Sequence, residues 1–520
     1  MKKKVSLLIL LGILVLAAFL RLYRIGDYLT FLGDEGRDVL IAKGILEGDF
    51  TLLGPRASAG DFFLGPVYYY LIAPWLWLFR YDPVGPAIMV ALLSIATTWL
   101  TYYVGKKWLN EKAGLIAASL YAVSPVVINY SHSSWNPNAL PFFALLLMYV
   151  LFVAIEKGKG WKHFIGVGLL LGITLQLHYL ALFLSAVVFF YTFFASWLVT
   201  KRMQFMVLCK RYLQIFLGFL IGFSPFLLFE VRHGFPNIKT IFGFIFADTL
   251  QQTGYETGST FSATVSDVFF RVFAKLVFYF PSSDRYQLFT PEQLQFFSLF
   301  VWIVSIASLI SIWFVKNKRV VLLIYLWFFL GILLFGFYKK AIYDYYFTFL
   351  FPLPFLIVGN FISQLLSWGK NNKQRIIFIG VGIVLFLGIF VQSLRGQPFQ
   401  HMPNRQKLMV QTIAEKVVEI ADNKPYNFAL ISGGNSDHAY RYFLEVLGNP
   451  PIAMENVIND PERKTVTDQL LVVCEGGPCE PLGNSLFEVA GFGRAEIAGE
   501  WTVLVVKVYK LVPYNEDLKK

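Results

Sequence analysis

Residues 5–38 read VSLLILLGILVLAAFLRLYRIGDYLTFLGDEGRD: an apolar run to Leu20, a basic stop at Arg21, and within a short loop the acidic cluster Gly33-Asp34-Glu35-Gly36-Arg37-Asp38. The run is long enough to cross about 30 Å of hydrocarbon, which needs about twenty residues. Met1-Lys2-Lys3-Lys4 precedes it as in a signal peptide. No small-residue cleavage site follows, so it is read as a retained first helix. The rest of the chain is of the same kind. Of 520 residues 56% are hydrophobic and only 15% charged, with a mean hydropathy of +0.58, outside the range of ordinary soluble domains. The net charge of +12 comes from small basic clusters between apolar runs rather than one polybasic tract, which argues for membrane topology and against nucleic acid.

The apolar segments predict a mainly α polytopic membrane protein of about eleven spans, near residues 5–22, 84–105, 113–129, 139–155, 164–179, 181–199, 212–229, 294–315, 320–337, 342–366 and 375–394. Basic loops around Lys106, Lys157, Lys201, Lys316 and Lys370 go to the cytoplasm with the N-terminus. That parity makes residues 24–83 an external loop. The apolar run 65–79, rich in Tyr and Trp and carrying Pro74, then lies at the interface, where amphipathic rings prefer to sit. A second interfacial helix is expected at 264–280, inside a long external loop, 231–293. After residue 395 the composition changes to that of a small extracytoplasmic α/β domain, 396–520. Strand-like runs fall at 428–432, 470–473 and 501–512, and a helical stretch at 406–421. Cys474 and Cys479 can pair there if the domain faces an oxidising compartment.

The chemistry is expected in the first loop. Ionisable residues at a membrane boundary are costly and by default mark function. Sugar transfer from a phosphate-linked donor needs a carboxylate to take the acceptor proton and cations to hold the departing phosphate. Asp34 or Glu35 supplies the first; the plainer alternative is a solvated helix start. Lys339 and Lys340 break the charge rule in an external turn, and a lipid phosphate would account for them; snorkelling to headgroups is the alternative. Arg37 and Arg56 are further phosphate candidates. Tyr345 and Tyr346 in the same turn as the lysines, His132, Asn136 and Asn138 in NYSHSSWNPN (129–138), His178 between two helices, and Tyr69 in the interfacial run are candidate substrate contacts. A lone histidine such as His178 is more often a satisfied structural group. No His/Cys spacing resembles a zinc site, and no Walker or dinucleotide motif is present. No cofactor is expected, and participation of a divalent ion stays open.

Helix one, the GDEG motif, LLGPRASAGDFFLGPVYYYL (52–71) and YKKAIYDYYFTFLFPLPFLIVG (338–359) together resemble the GT-C glycosyltransferases related to protein O-mannosyltransferases and to the aminoarabinose transferase of lipid A. The resemblance spans roughly 5–395 and implies a polyprenyl-phosphate-sugar donor, an extracytoplasmic lipid, glycan or protein acceptor, and inversion at the transferred sugar. It implies Asp34 as the base with Glu35 as its partner, and Lys339 or Lys340 on the donor phosphate. One departure stands out: relatives often place an acid at the external start of the fourth helix, where this chain has Asn138. A transporter or flippase of lipid-linked saccharides, or a polysaccharide polymerase or ligase, are the alternative classes. Charges concentrated at one face rather than at span centres favour interfacial chemistry over transport.

Overall fold

The structure, a computed structural model, describes residues 3–57, 60–157, 160–200, 204–246, 260–281, 283–338, 340–476 and 479–515. It is a multi-pass helical membrane protein with a small C-terminal sheet domain. Eight helices among the described residues are long and apolar enough to cross a membrane: Lys4–Leu22, Val84–Trp108, Asn136–Lys157, Tyr179–Leu198, Phe205–Gly222, Pro291–Trp313, Lys318–Phe337 and Asn372–Leu394. Two bent pairs, Glu111–Val123 with Pro125–Ser131 and Asp344–Leu350 with Pro352–Leu365, each turn by 61° and raise the number to ten. In the first, Ser124 before Pro125 is extended (ψ 118°), as the proline ring demands of its predecessor. The span expected at 212–229 lies earlier, at Phe205–Gly222, with Ser224–His233 a separate helix, and that expected at 164–179 is a helix at Trp161–Leu177, shorter than the spanning set.

The run 65–79 forms the helix Val67–Leu78, too short to span, with Tyr68, Tyr69, Ile72, Ala73 and Leu76 buried on one face. The helix expected at 264–280 runs Phe261–Ala274 and ends earlier. Its apolar face is buried at Val268, Val272 and Phe273, while Arg271 and Lys275 both bind Asp344. That polar side is therefore tied to Ile342 and to the start of the short helix Asp344–Leu350 rather than left to solvent.

In the C-terminal domain the strands Asn427–Ile431 (β1), Leu470–Cys474 (β2), Ala495–Val503 (β3) and Val506–Pro513 (β4) form one sheet in the order β1-β2-β4-β3. β1 and β2 are parallel and the other pairs antiparallel. The expected single run 501–512 is instead the end of β3 and most of β4, joined through Leu504 at φ 55°. Alternation along β2 sorts its side chains: Leu471 and Val473 join the main core with the helix Gln406–Ala421, while Leu470, Val472 and Cys474 pack with Val489 and Phe492 on the other face. Cys474 and Cys479 are disulfide-bonded.

This domain is locked onto loop one. The Arg405 N–H donates to the Asp27 carbonyl at 2.9 Å, and the Phe31 N–H to Gln406 Oε1 at 3.1 Å. Lys407 pairs with Asp82 at 2.9 Å, and the Tyr442 hydroxyl donates to the Tyr81 carbonyl at 2.5 Å. Residues of both parts share one continuous apolar core.

Candidate active site

The acidic cluster opens a helix, Gly33–Glu47. Carboxylates in a first turn are favoured by the unpaired N–H groups and the helix dipole, but the three acids meet different environments. Glu35 is 6% exposed. Its carboxylate folds back onto the helix start, accepting from the Leu32 N–H at 3.1 Å and from Ser133 Oγ at 2.7 Å. Burial raises its pKa against those two bonds. Asp38 is fully buried and accepts from Arg37 Nε and Nη2 at 3.0 and 2.7 Å, leaving Oδ2 without a partner. Burial pushes it up to about 7 despite Arg37. Asp34 is the open one: its side chain is 53% exposed and holds Arg37 Nη1 at 2.7 Å. Burial works against the Arg37 cation, yet Asp38, Tyr69 and Asp34 around it outweigh burial and raise its pKa.

Both glycines of the motif have a packing reason. A Cβ on Gly33 would lie 2.0 Å from Ser436 Oγ, and one on Gly36 2.3 Å from the Ala439 backbone nitrogen. The helix His438–Val446 of the C-terminal domain therefore rests directly on the acidic helix. At their junction Asn435 bridges the two parts, accepting from the Gly33 N–H at 2.9 Å and donating to Glu475 at 3.1 Å.

Two polar cavities border this helix, and a third, apolar one adjoins the second of them. The first, 580 Å³, lies between Asp34, Glu35, Asn129, Ser133, Asn138 and the domain loop 434–436. The second, 310 Å³, contains Asp34, Arg37, Arg56, Asn136, His178 and Tyr345. The third, 650 Å³, is walled by Phe62, Phe183, Phe223, Phe226, Leu227 and other apolar side chains, with Lys340 among them. Asp34 and Trp135 belong to both the first and the second; Leu64 and Tyr179 belong to both the second and the third. The polar turn Asn136–Ala139 organises the junction. Asn136 Nδ2 donates to the Leu177 carbonyl at 2.5 Å, and Asn138 Nδ2 to the Ser133 carbonyl at 3.0 Å. Tyr345 packs against Trp135 at 4.4 Å and against His178 at 5.8 Å between ring centres.

Of the expected site residues, Asp34, Glu35, Arg37, Asn136, Asn138, His178, Tyr345 and Lys340 line these cavities. Lys339 lies outside the described residues. Three others line none of the three. His132 is buried under the loop beside Tyr28, its pKa lowered by burial to about 4. Tyr346 is packed among His178, Tyr179 and Tyr338. Tyr69 is buried with its hydroxyl beside Asp38 and Arg37. Burial lowers His178 to about 3, and its Nδ1 accepts from the Leu180 N–H, so it serves as a neutral cap. Sequence reasoning missed Ser133 as the partner of Glu35 and loop 434–436 as a wall of the first cavity. Neither carries a periodicity or motif that places it there.

The sequence-family model described as dolichyl-phosphate-mannose-protein mannosyltransferase matches residues 64–229. No curated protein matches the chain by sequence. Among solved structures, ArnT from Cupriavidus metallidurans bound to undecaprenyl phosphate aligns over 98% of each chain at 12% identity and a TM-score of 0.60. The oligosaccharyltransferase AglB from Archaeoglobus fulgidus, in complex with an inhibitory peptide and a dolichol-phosphate, aligns over 91% of this chain and 69% of its own, at 14% identity and a TM-score of 0.52. The chain thus shares the fold of these two proteins, and its residues 64–229 match a family of membrane glycosyltransferases. The matched segment runs from the loop-one helix Val67–Leu78 through the polar 129–138 turn and past His178, so it includes much of the cavity wall.

Proposed function

We propose that the protein transfers one sugar from a polyprenyl-phosphate donor to a hydroxyl of an extracytoplasmic acceptor, with inversion, and that Asp34 is the base. The observation that carries this is the position of Asp34 on the wall shared by the two polar cavities. A group that takes a proton from the acceptor must touch the space where acceptor and donor meet. Glu35 is less suited, since both its oxygens already accept hydrogen bonds; its part is to fix the helix start beside Asp34.

In this reading the acceptor occupies the 580 Å³ cavity, the sugar and phosphate the 310 Å³ cavity, and the polyprenyl chain the apolar 650 Å³ cavity. The acceptor oxygen bonds to the anomeric carbon as its proton passes to Asp34. The bond from that carbon to the phosphate oxygen breaks, and its electron pair leaves with the polyprenyl phosphate. Arg37, Arg56 and Lys340 supply positive charge for the departing group; Lys339 is assigned the same role from the sequence alone. Tyr345, Asn136 and His178 shape the sugar site, and Asn138 faces the acceptor side. The continuity of an apolar cavity with a cationic one supports a lipid-phosphate donor, as do the undecaprenyl phosphate and dolichol-phosphate bound by the two similar structures.

The proposed topology counts Trp161–Leu177 as an eleventh span, which puts the N-terminus in the cytoplasm and the unit 396–520 outside a cell membrane, with 1–395 as the transferase unit. The basic inter-helix loops and the Cys474–Cys479 disulfide support it. The test is transfer of radiolabelled sugar by purified protein. Asp34→Asn should abolish transfer at unchanged yield and melting behaviour, since it removes basicity at nearly constant volume. Transfer at the parental rate would refute the assignment.

A further inference from the structure

We infer that the acceptor is an uncharged, hydroxyl-rich glycan, seated between the acidic helix and loop 434–436 of the C-terminal domain. This rests on the glycosyltransferase reading of Asp34 and narrows it to a substrate class.

Electrostatics come first. The 580 Å³ cavity carries two carboxylates, Asp34 and Glu35, and no Lys or Arg among its described lining residues. A phosphorylated acceptor would bring like charge against those carboxylates in a partly desolvated space. A neutral polyol meets no such barrier. Arg37, the cation of the same helix, lines the other polar cavity and is engaged by Asp34 and Asp38.

The second observation is an unmet hydrogen bond. Asn138 is 7% exposed and lines the cavity, and while its Nδ2 is used on the Ser133 carbonyl, its Oδ1 has no partner. A buried acceptor left this way is costly. A turn of the Asn138 amide towards the cavity would present that covered oxygen to a ligand hydroxyl. Asn129 adds a further amide at the wall, and Trp135 with Tyr130 adds aromatic surface for the apolar face of a sugar ring. An extended peptide is recognised by pairing along a strand edge or in a helix groove. The walls here are a helix start, a broken-helix turn and a loop, and the Gly33 N–H is already taken by Asn435. The C-terminal domain thus contributes part of the acceptor site.

Saturation-transfer-difference NMR on the full-length protein in a non-glycosidic detergent tests this. The probes are methyl glycosides of glucose, galactose and mannose, glucose 6-phosphate, and an acetylated Gly-Ser-Gly amide. At least one methyl glycoside should saturate more strongly than the sugar phosphate and the peptide. Asn138→Leu and Trp135→Ala should each reduce that signal about fivefold, the loss of one or two contacts. Because Asn138→Leu also releases Ser133, a milder variant is needed. Asn129→Lys, at an exposed position on the wall, should make glucose 6-phosphate saturate where the parent does not. Stronger saturation of the phosphate or the peptide in the parent, no glycoside signal, or signals unchanged in all three variants would overturn the inference. Mass spectrometry of lipid in the same sample separates the two readings: bound polyprenyl phosphate without glycoside binding would sink the acceptor assignment alone.

Discussion

Asp34 and Glu35 are neighbours in sequence with opposite situations in space, and the proposed division of roles between them follows from that difference. Glu35 is buried and holds the Leu32 N–H and Ser133, so Glu35→Ala should cost about 1–3 kcal/mol of stability by stranding those donors, read as a lowered melting temperature in detergent. Glu35→Gln, which keeps one acceptor oxygen, should cost less. Asp38 makes a pH prediction. Its carboxyl is raised from 3.8 to about 7 by burial, so the folded chain holds this proton more tightly than the unfolded one. Stability from this residue is present below about pH 4 and is lost as pH rises towards 7. Asp38→Asn should flatten the melting temperature between pH 4.5 and 7.5 on this account; an unchanged slope would contradict it. The acidic pair was legible because charge beside a first apolar helix is unusual. The split between an open Asp34 and a closed Glu35 was not, because it depends on Ser133, 98 residues away.

At the scale of elements, the Gly33–Glu47 helix acts as a shared floor for the membrane unit and the C-terminal domain. Gly36→Ala should force the helix His438–Val446 away, since the clash is with backbone and cannot be relieved by a rotamer change; a loss of about 1–3 kcal/mol is expected. Limited proteolysis of the 395–405 connection should accelerate in that variant. Gly12→Ala, with nothing within 4 Å of the added carbon, is the control that should behave like the parent. Helices were readable from apolar runs because every backbone group in hydrocarbon must be paired internally. Bends were harder: Pro125 was visible, but the run 113–129 still read as one straight span. The 501–512 run misled for a different reason. Its turn uses Leu504 at positive φ with no glycine or asparagine, so the usual hairpin signal is missing.

Across the whole molecule, the apolar cavity, the Arg37 cavity and the acceptor cavity form a sequence joined by shared wall residues. In the proposed reading their order is that of the parts of a lipid-phosphate sugar followed by its acceptor. No local pattern in the sequence announces this, because the walls come from loop one, the 129–138 turn, the segments 175–183, 219–242 and 334–338, Lys340, Tyr345 and loop 434–436. Lys340 was singled out by its breach of the charge rule, and it does lie on the apolar cavity. Lys340→Met should weaken polyprenyl phosphate binding about tenfold, the value of one charge-assisted contact, in a native mass spectrometry titration. Equal affinity would remove it from the phosphate site.

The most direct test is native mass spectrometry of the purified parent protein with the lipid it carries from the membrane. One bound polyprenyl phosphate or its glycoside per chain is the expected result, displaced when bulky side chains replace Leu227 or Phe223 in the apolar cavity. Only ordinary phospholipids, with no retention of added polyprenyl phosphate, would contradict the assignment of these three cavities.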